Sequence, residues 1–310
     1  MIQCVWSPKY EIDIGDHVFP TIKYAHVRAK LLRDGICTPG DFVEPAPASD
    51  EELLMVHSPA YLQDLANLNR CERTLFSELP LTREIVEGYR LAAGGSILAA
   101  QLALDGPRPI VCHIGGGFHH AFADRAEGFC YINDIAVAIR VMQARGKIKT
   151  AAVIDCDLHQ GNGTAHIFEN DPTVTTFSIH QENNYPAKQQ SNVDVGLEDY
   201  TSDDEYLSSL QMHIPQLLDS AQPDLVVYVA GADPYQDDVL GQLKLTIHGL
   251  LERDTYILKQ TTTRHIPTVT VTAGGYAMHV DDTVTIHANT CIAASEQNTA
   301  YGDDHRTSNL

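Results

Sequence analysis

Asp155, Asp157 and His159 fall at every second position of the run TAAVIDCDLHQGNG, Thr150 to Gly163. In an extended chain, residues two apart project to the same side, so these three would face one way and Cys156 and Leu158 the other. Two carboxylates and an imidazole suit a hard-to-borderline divalent ion such as zinc. Taken alone, D-x-D-x-H is equally a strand that ends in polar capping residues. Other apolar runs of this chain, however, end in the same manner. The run closing at His113 leads into IGGGFHHAFADRAEGFCY, which holds the adjacent pair His119 and His120. DLVVYVA leads into Gly231-Ala232-Asp233, and IPTVTVT into Ala273-Gly274-Gly275-Tyr276. Asp157, His159 and Asp233 supply three ligands and leave a place open, the arrangement of a catalytic metal site. His119 and His120 are suited to moving protons, and Tyr276 to donating a hydrogen bond to a developing oxyanion. Together the set suits metal-assisted hydrolysis of an amide.

These groups need a scaffold that brings distant loops to one edge. Apolar runs of strand length alternate with amphipathic runs of helix length. The pattern predicts strands at Arg108 to His113, Thr150 to Ile154, Thr173 to His180, Asp224 to Ala230 and Ile266 to Thr272, with a short first strand at Ile2 to Val5. Helices are predicted at Tyr24 to Leu32, Thr82 to Leu104, Ile132 to Ala144, Thr164 to Asn170, Asp203 to Leu218, Leu243 to Thr261 and Asp281 to Ala294. Near-continuous apolar strands separated by helices imply an α/β fold: one domain with a mainly parallel central sheet sandwiched by helices. Ligands of such sheets bind outside the carboxyl ends of the strands, where all the groups named above would gather. Ser58 before Pro59 reads as a helix entry, and Asp41 to Asp50 as a surface connection. Gly94-Gly95 in the long helix would permit close packing. The domain is expected over residues 1–300, with 301–310 a polar tail.

Composition narrows the partners. With 310 residues, 44% hydrophobic and 20% charged, the chain is of ordinary globular type and long enough for a large single core. A formal net charge of -20 argues against direct nucleic-acid binding and favours a cationic ligand or a lysine-bearing peptide. Seven cysteines without C-x-x-C spacing read as packed, reduced thiols, and no run of about 18 apolar residues offers a membrane span. A cytoplasmic location is expected. Cys130 and Cys156 read as packing residues, and the sequence sets no oligomeric state.

The motifs GGGFHHA with GFCYIND, DCDLHQGNG, GADP and AGGY, in that order, resemble those of the histone deacetylase superfamily of zinc-dependent deacylases. The likeness also takes in SPKYEIDIGDHVFPTIKY, VHSPAYL and YPAKQQSNVDVGLEDYTSDDEYL. The Q-G-N-G run after His159, with Y-P and A-K after the next strand, is most similar to the class IV branch and its bacterial relatives. The resemblance implies an arginase/deacetylase-like fold and hydrolysis of N-acyl groups, acetyl or longer fatty acyl, from lysine side chains. It implies zinc on Asp157, His159 and Asp233, with ferrous iron as the alternative ion. His120 would be general base, and His119, oriented by Asp155, would stabilise charge and protonate the leaving amine. Tyr276 would stabilise the oxyanion. Gly128, Phe129 and Tyr185 would line the acyl tunnel, and a structural K+ or Na+ would sit on Asp155, Asp157, His159 and Ser178. Asn162 stands where better-known class I members have aspartate to orient His120. A neutral amide fixes the ring without stabilising an imidazolium, so Asn162→Asp is expected to raise the acid limb of the pH–rate profile. Gln160 is a second departure. Other readings of the same apparatus are an amidohydrolase for small acylated amines such as acetylpolyamines, and an acyl-lysine binder without turnover. The additional aspartates of a two-metal ureohydrolase are missing.

Overall fold

The computed structural model describes residues 2–307. Eight strands, β1 (Gln3–Val5), β2 (Phe42–Val43), β3 (Ile110–His113), β4 (Ala151–Asp155), β5 (Val174–Gln181), β6 (Val193–Leu197), β7 (Leu225–Val229) and β8 (Thr268–Val271), form one sheet. Their order is β2-β1-β3-β8-β7-β4-β5-β6, and every pairing is parallel. Each residue of β3, β4, β7 and β8 is buried. That explains their unbroken apolar runs: helices cover both faces, so neither side of the strand meets water.

The helices are α1 (Lys23–Arg33), α2 (Asp50–Leu53), α3 (Pro59–Ala66), α4 (Glu72–Leu75), α5 (Arg83–Asp105), α6 (Asp134–Ala144), α7 (Asn162–Phe168), α8 (Asp203–Ala221), α9 (Ile247–Thr262) and α10 (Val280–Thr307). Side-chain caps set several starts: Ser58, Thr82 and Asn133 accept from the backbone N–H three residues on, at 3.3, 3.3 and 2.9 Å. Thr246 caps α9 in the same way, so this helix begins at Ile247 and not at Leu243 as the periodicity suggested. Within α5, a Cβ on Gly94 would collide with Ala46 O, and one on Gly95 with Tyr10 and His113. The glycine pair is what lets this helix lie against the sheet and against the 46–48 segment.

Three segments differ from the sequence reading. The connection read at Asp41 to Asp50 carries β2, and β6 lies in a stretch to which the sequence pattern assigned no element. Both are edge strands with one paired side, so neither needs the apolar run that marks a central strand. Helix α10 continues through residues 301–307 of the segment read as a polar tail, while 308–310 lie outside the described residues. Among the described residues, no helix is long and apolar enough to cross a membrane.

The order of the sheet positions the chemistry. β3, β8, β7 and β4 are consecutive neighbours at its centre, and the loops after these four strands carry His119 and His120, Tyr276, Asp233, and Asp157 with His159.

Candidate metal and proton-transfer site

β4 ends at Asp155, and the residues beyond it are not extended. Asp157 N–H donates to Asp155 Oδ1 at 3.1 Å, and His159 N–H donates to Asp157 Oδ1 at 3.0 Å. Two successive Asx turns therefore bring alternate side chains to one side, where the sequence reading had assumed a continued strand. Cys156 and Leu158 go into the apolar core, as expected.

Asp157, His159 and Asp233 converge so that one ligand atom from each lies within 4.8 Å of the others. Asp157 Oδ2 accepts from Gly274 N at 2.9 Å, and Asp233 Oδ1 from Leu158 N at 2.9 Å. These bonds turn the remaining oxygens inward. Asp233 Oδ2 is buried without a hydrogen-bond partner, although it lies 3.2 Å from His159 Nδ1. A buried, unsatisfied carboxylate oxygen beside a second carboxylate and an imidazole fits a divalent cation. A Cβ on Gly231 or Gly274 would strike Asp157 and Asp233, so glycine is required for the carboxylates to sit there. Burial opposes charge on His159, but Asp157 and Asp233 outweigh it and hold its pKa up to about 10. Burial and the Asp157 carboxylate push Asp233 up to about 6. Protons and a cation would thus compete for the same atoms.

Beside this cluster stand two buried imidazoles whose Nε2 atoms are 3.1 Å apart. His119 Nδ1 faces Asp155 Oδ2 at 2.7 Å, and its Nε2 is 3.7 Å from Asp157 Oδ1. Burial opposes its charge, but the two carboxylates raise its pKa to about 9. His120 Nδ1 faces Asn162 Oδ1 at 2.8 Å. Burial, with the neighbouring His119 and His159 charges, drives His120 well below the ordinary histidine range.

These groups floor a pocket of about 240 Å³ whose walls include Phe19, Phe118, Gly128, Phe129, Tyr185, Leu240 and Tyr276. Glu127 to Cys130 is a two-residue turn closed by Glu127 N→Cys130 O at 3.1 Å and Cys130 N→Glu127 O at 2.9 Å. Both central residues have positive φ, +49° at Gly128 and +62° at Phe129, the signature of a type I′ turn. A phenylalanine in this region is strained, and the strain is spent on holding its ring between His17, Phe19 and Tyr276. Tyr185 stands across from it, edge-on to His120 and His159 at ring distances of 5.4 and 6.1 Å. Tyr276 is held by its backbone N–H, which donates to Asp238 Oδ2 at 2.7 Å. Ser178 is the register partner of Asp155, and its hydroxyl pairs with His180 Nδ1 at 2.9 Å. Each residue singled out in the sequence is thus beside the cluster or one strand away.

The sequence pattern of the histone deacetylase domain matches residues 17–291. The chain belongs to the histone deacetylase family. Histone deacetylase 2 of Arabidopsis thaliana is 33% identical over 290 residues, 89% of this chain and 74% of the relative. An uncharacterised protein of Picosynechococcus is 39% identical over 292 residues, 92% of this chain and 95% of the relative. Among solved structures, the HDA15 HD domain matches the fold with a TM-score of 0.78 at 22% identity, over 97% of this chain and 92% of that one.

Several pocket residues of this histone deacetylase family member were not singled out in the sequence. Phe19 and Leu240 are wall residues, Asp238 anchors Tyr276, and Glu127 accepts from Asn162 Nδ2 at 2.7 Å. For Asp238 a signal was present, since it follows Asp233 in the same post-strand loop. Glu127 had none, because its partner is 35 residues away in the chain.

Proposed function

We propose that this chain is a metal-dependent lysine deacylase of the class IV branch, cleaving acetyl or longer N-acyl groups from lysine side chains in the cytoplasm. The observation that carries the reading is the juxtaposition of the Asp157–His159–Asp233 cluster with two imidazoles of opposite protonation tendency on one pocket floor. The donor set, two carboxylates and one imidazole, suits zinc, with ferrous iron the alternative. A divalent cation with an open place there would supply Lewis acidity, polarising an amide carbonyl and acidifying water.

The chain's own groups divide the remaining work. His120, neutral and donating at Nδ1 to Asn162, keeps the Nε2 lone pair free to take a proton from the attacking water. His119, charged through Asp155, gives a proton to the departing lysine amine. Tyr276 donates its hydroxyl to the carbonyl oxygen as negative charge develops there. The aromatic walls at Phe129 and Tyr185 exclude water from an extended, uncharged lysine stem. Asp155 and Ser178, paired on adjacent strands, would together with Asp157 and His159 hold a structural K+ or Na+.

A panel of acyl-lysine peptides from acetyl to myristoyl, with acetylpolyamines alongside and a chelator control, tests the reading. Turnover of a peptide that is lost with chelator and restored by zinc is expected. Turnover of acetylpolyamines alone would move the substrate to small amines, and binding without turnover would make the chain a reader of acyl-lysine.

A further inference from the structure

Asn162 is buried and its side-chain amide is used at both ends: Oδ1 toward His120 Nδ1 at 2.8 Å, and Nδ2 toward Glu127 Oε1 at 2.7 Å. An ionised carboxylate only accepts hydrogen bonds. Glu127 therefore takes the NH₂ end of the amide, which leaves the oxygen for His120. An oxygen facing His120 Nδ1 in turn requires the proton on Nδ1 and the lone pair on Nε2. The far side is consistent, because His119 has one nitrogen on Asp155 and the other 3.1 Å from His120 Nε2. With the proton on Nδ1, the lone pair of His120 lies at Nε2, the atom that faces His119. The chain Glu127–Asn162–His120–His119–Asp155 has a carboxylate at each terminus.

We propose that Glu127 is a positioning residue for the base: through the Asn162 amide it selects the Nδ1–H tautomer of His120 and contributes the negative charge that an aspartate at 162 would bring. The turn from Glu127 to Cys130 serves both ends of the site, since it presents Phe129 to the tunnel and the Glu127 carboxylate to Asn162. Arg125 Nε lies 3.6 Å from the other Glu127 oxygen, so both oxygens of the carboxylate have a partner. The arrangement also changes what Asn162→Asp does. The new carboxylate would face the Glu127 carboxylate at the present 2.7 Å, and a simple gain of charge beside His120 is no longer the expected result.

The charge can instead be transposed. In Glu127→Gln with Asn162→Asp, the glutamine NH₂ donates to the new carboxylate, which accepts from His120 Nδ1–H, and the net charge is conserved. The test compares E127Q, N162D and the double variant in the metal-loaded protein. This arm rests on the deacylase reading above. E127Q and N162D should each lower kcat, by roughly 10–100-fold for N162D, with KM unchanged, and the double variant should recover most of the loss. A double variant no more active than N162D, or E127Q with wild-type kcat, would overturn the proposal. A second arm is independent of turnover. In histidine-selective ¹⁵N spectra of the wild type, the resonance lost in His120→Ala should carry the Nδ1–H signature, and Glu127→Leu, which has no oxygen to hold the Asn162 NH₂, should shift it toward the Nε2–H form. No shift in Glu127→Leu would again overturn the proposal. If the spectra respond while the wild type hydrolyses no acyl-lysine, the functional reading fails and the role of Glu127 in the tautomer stands.

Discussion

His119 and His120 are sequence neighbours, equally buried, with ring centroids 4.1 Å apart, yet their surroundings drive them in opposite directions. His119 rests on the Asp155 carboxylate and is raised to about 9, whereas His120 rests on an amide and is driven down. Burial is common to both, so the partner atom decides. Under the proposed function, this separation would give one acid and one base ready at the same neutral pH.

The comparison breaks most visibly at His120. His120→Ala should lower kcat by about 10²–10⁴-fold while metal content, read by elemental analysis, stays stoichiometric. Loss of metal in this variant would make His120 a metal ligand and not a base. Tyr276→Phe, which touches neither imidazole, should cost about 10²–10³-fold in kcat and leave hydroxamate binding intact. Weak hydroxamate binding would make Tyr276 a general binding residue. Asp155→Asn replaces the support of His119 with the kind of group that supports His120, and should cost about 10–100-fold. If Asp155→Asn left kcat unchanged, the contrast between the two rings would have no catalytic meaning.

The smallest effect concerns stability and uses two histidines with burial but no carboxylate. His57 accepts from Asn133 N–H at 3.1 Å and is lowered to about 4, while His113, between Tyr10 and Ser96, is lowered to about 3, in each case chiefly by burial. An unfolded histidine titrates near 6.5, so between those values the unfolded chain binds protons that the folded chain refuses. Their contribution is complete above about pH 6.5 and is lost as pH falls toward 4 and then 3. His119, His159 and Asp233, held above their ordinary values, act in the opposite sense, so the two rings are isolated by substitution: going from pH 7.5 to pH 5 should lower the urea midpoint less in His57→Gln than in the wild type. An equal change in both proteins would contradict the assignment of His57 as a neutral core group.

Legibility in the sequence followed the range of the interaction. Asp155, Asp157 and His159 lie within five residues of one another, and the apolar runs ahead of the site loops belong to strands buried on both faces, so pattern alone found them. Asn162 was singled out only through the family resemblance, as the residue standing where class I members have aspartate. Glu127 was not, since a glutamate in a tight turn looks like any solvated loop residue until the chain places Asn162 beside it. Phe19 was likewise one aromatic in an irregular segment. β2 and β6 escaped because edge strands carry only part of the apolar signal, and α10 was cut short because its last turns, rich in small and polar residues, keep helical geometry without an apolar stripe.

The strand at the centre of the sheet, β8, is the last of the eight in the chain, and it separates β3 from β7. During synthesis, therefore, all seven other strands leave the ribosome before the one that joins the two halves, and the facing edges of β3 and β7 stay open until residue 271 has emerged. A nascent chain arrested earlier would have two unzipped half-sheets and no assembled pocket, which makes the last of the eight strands the step that seals both stickiness and activity.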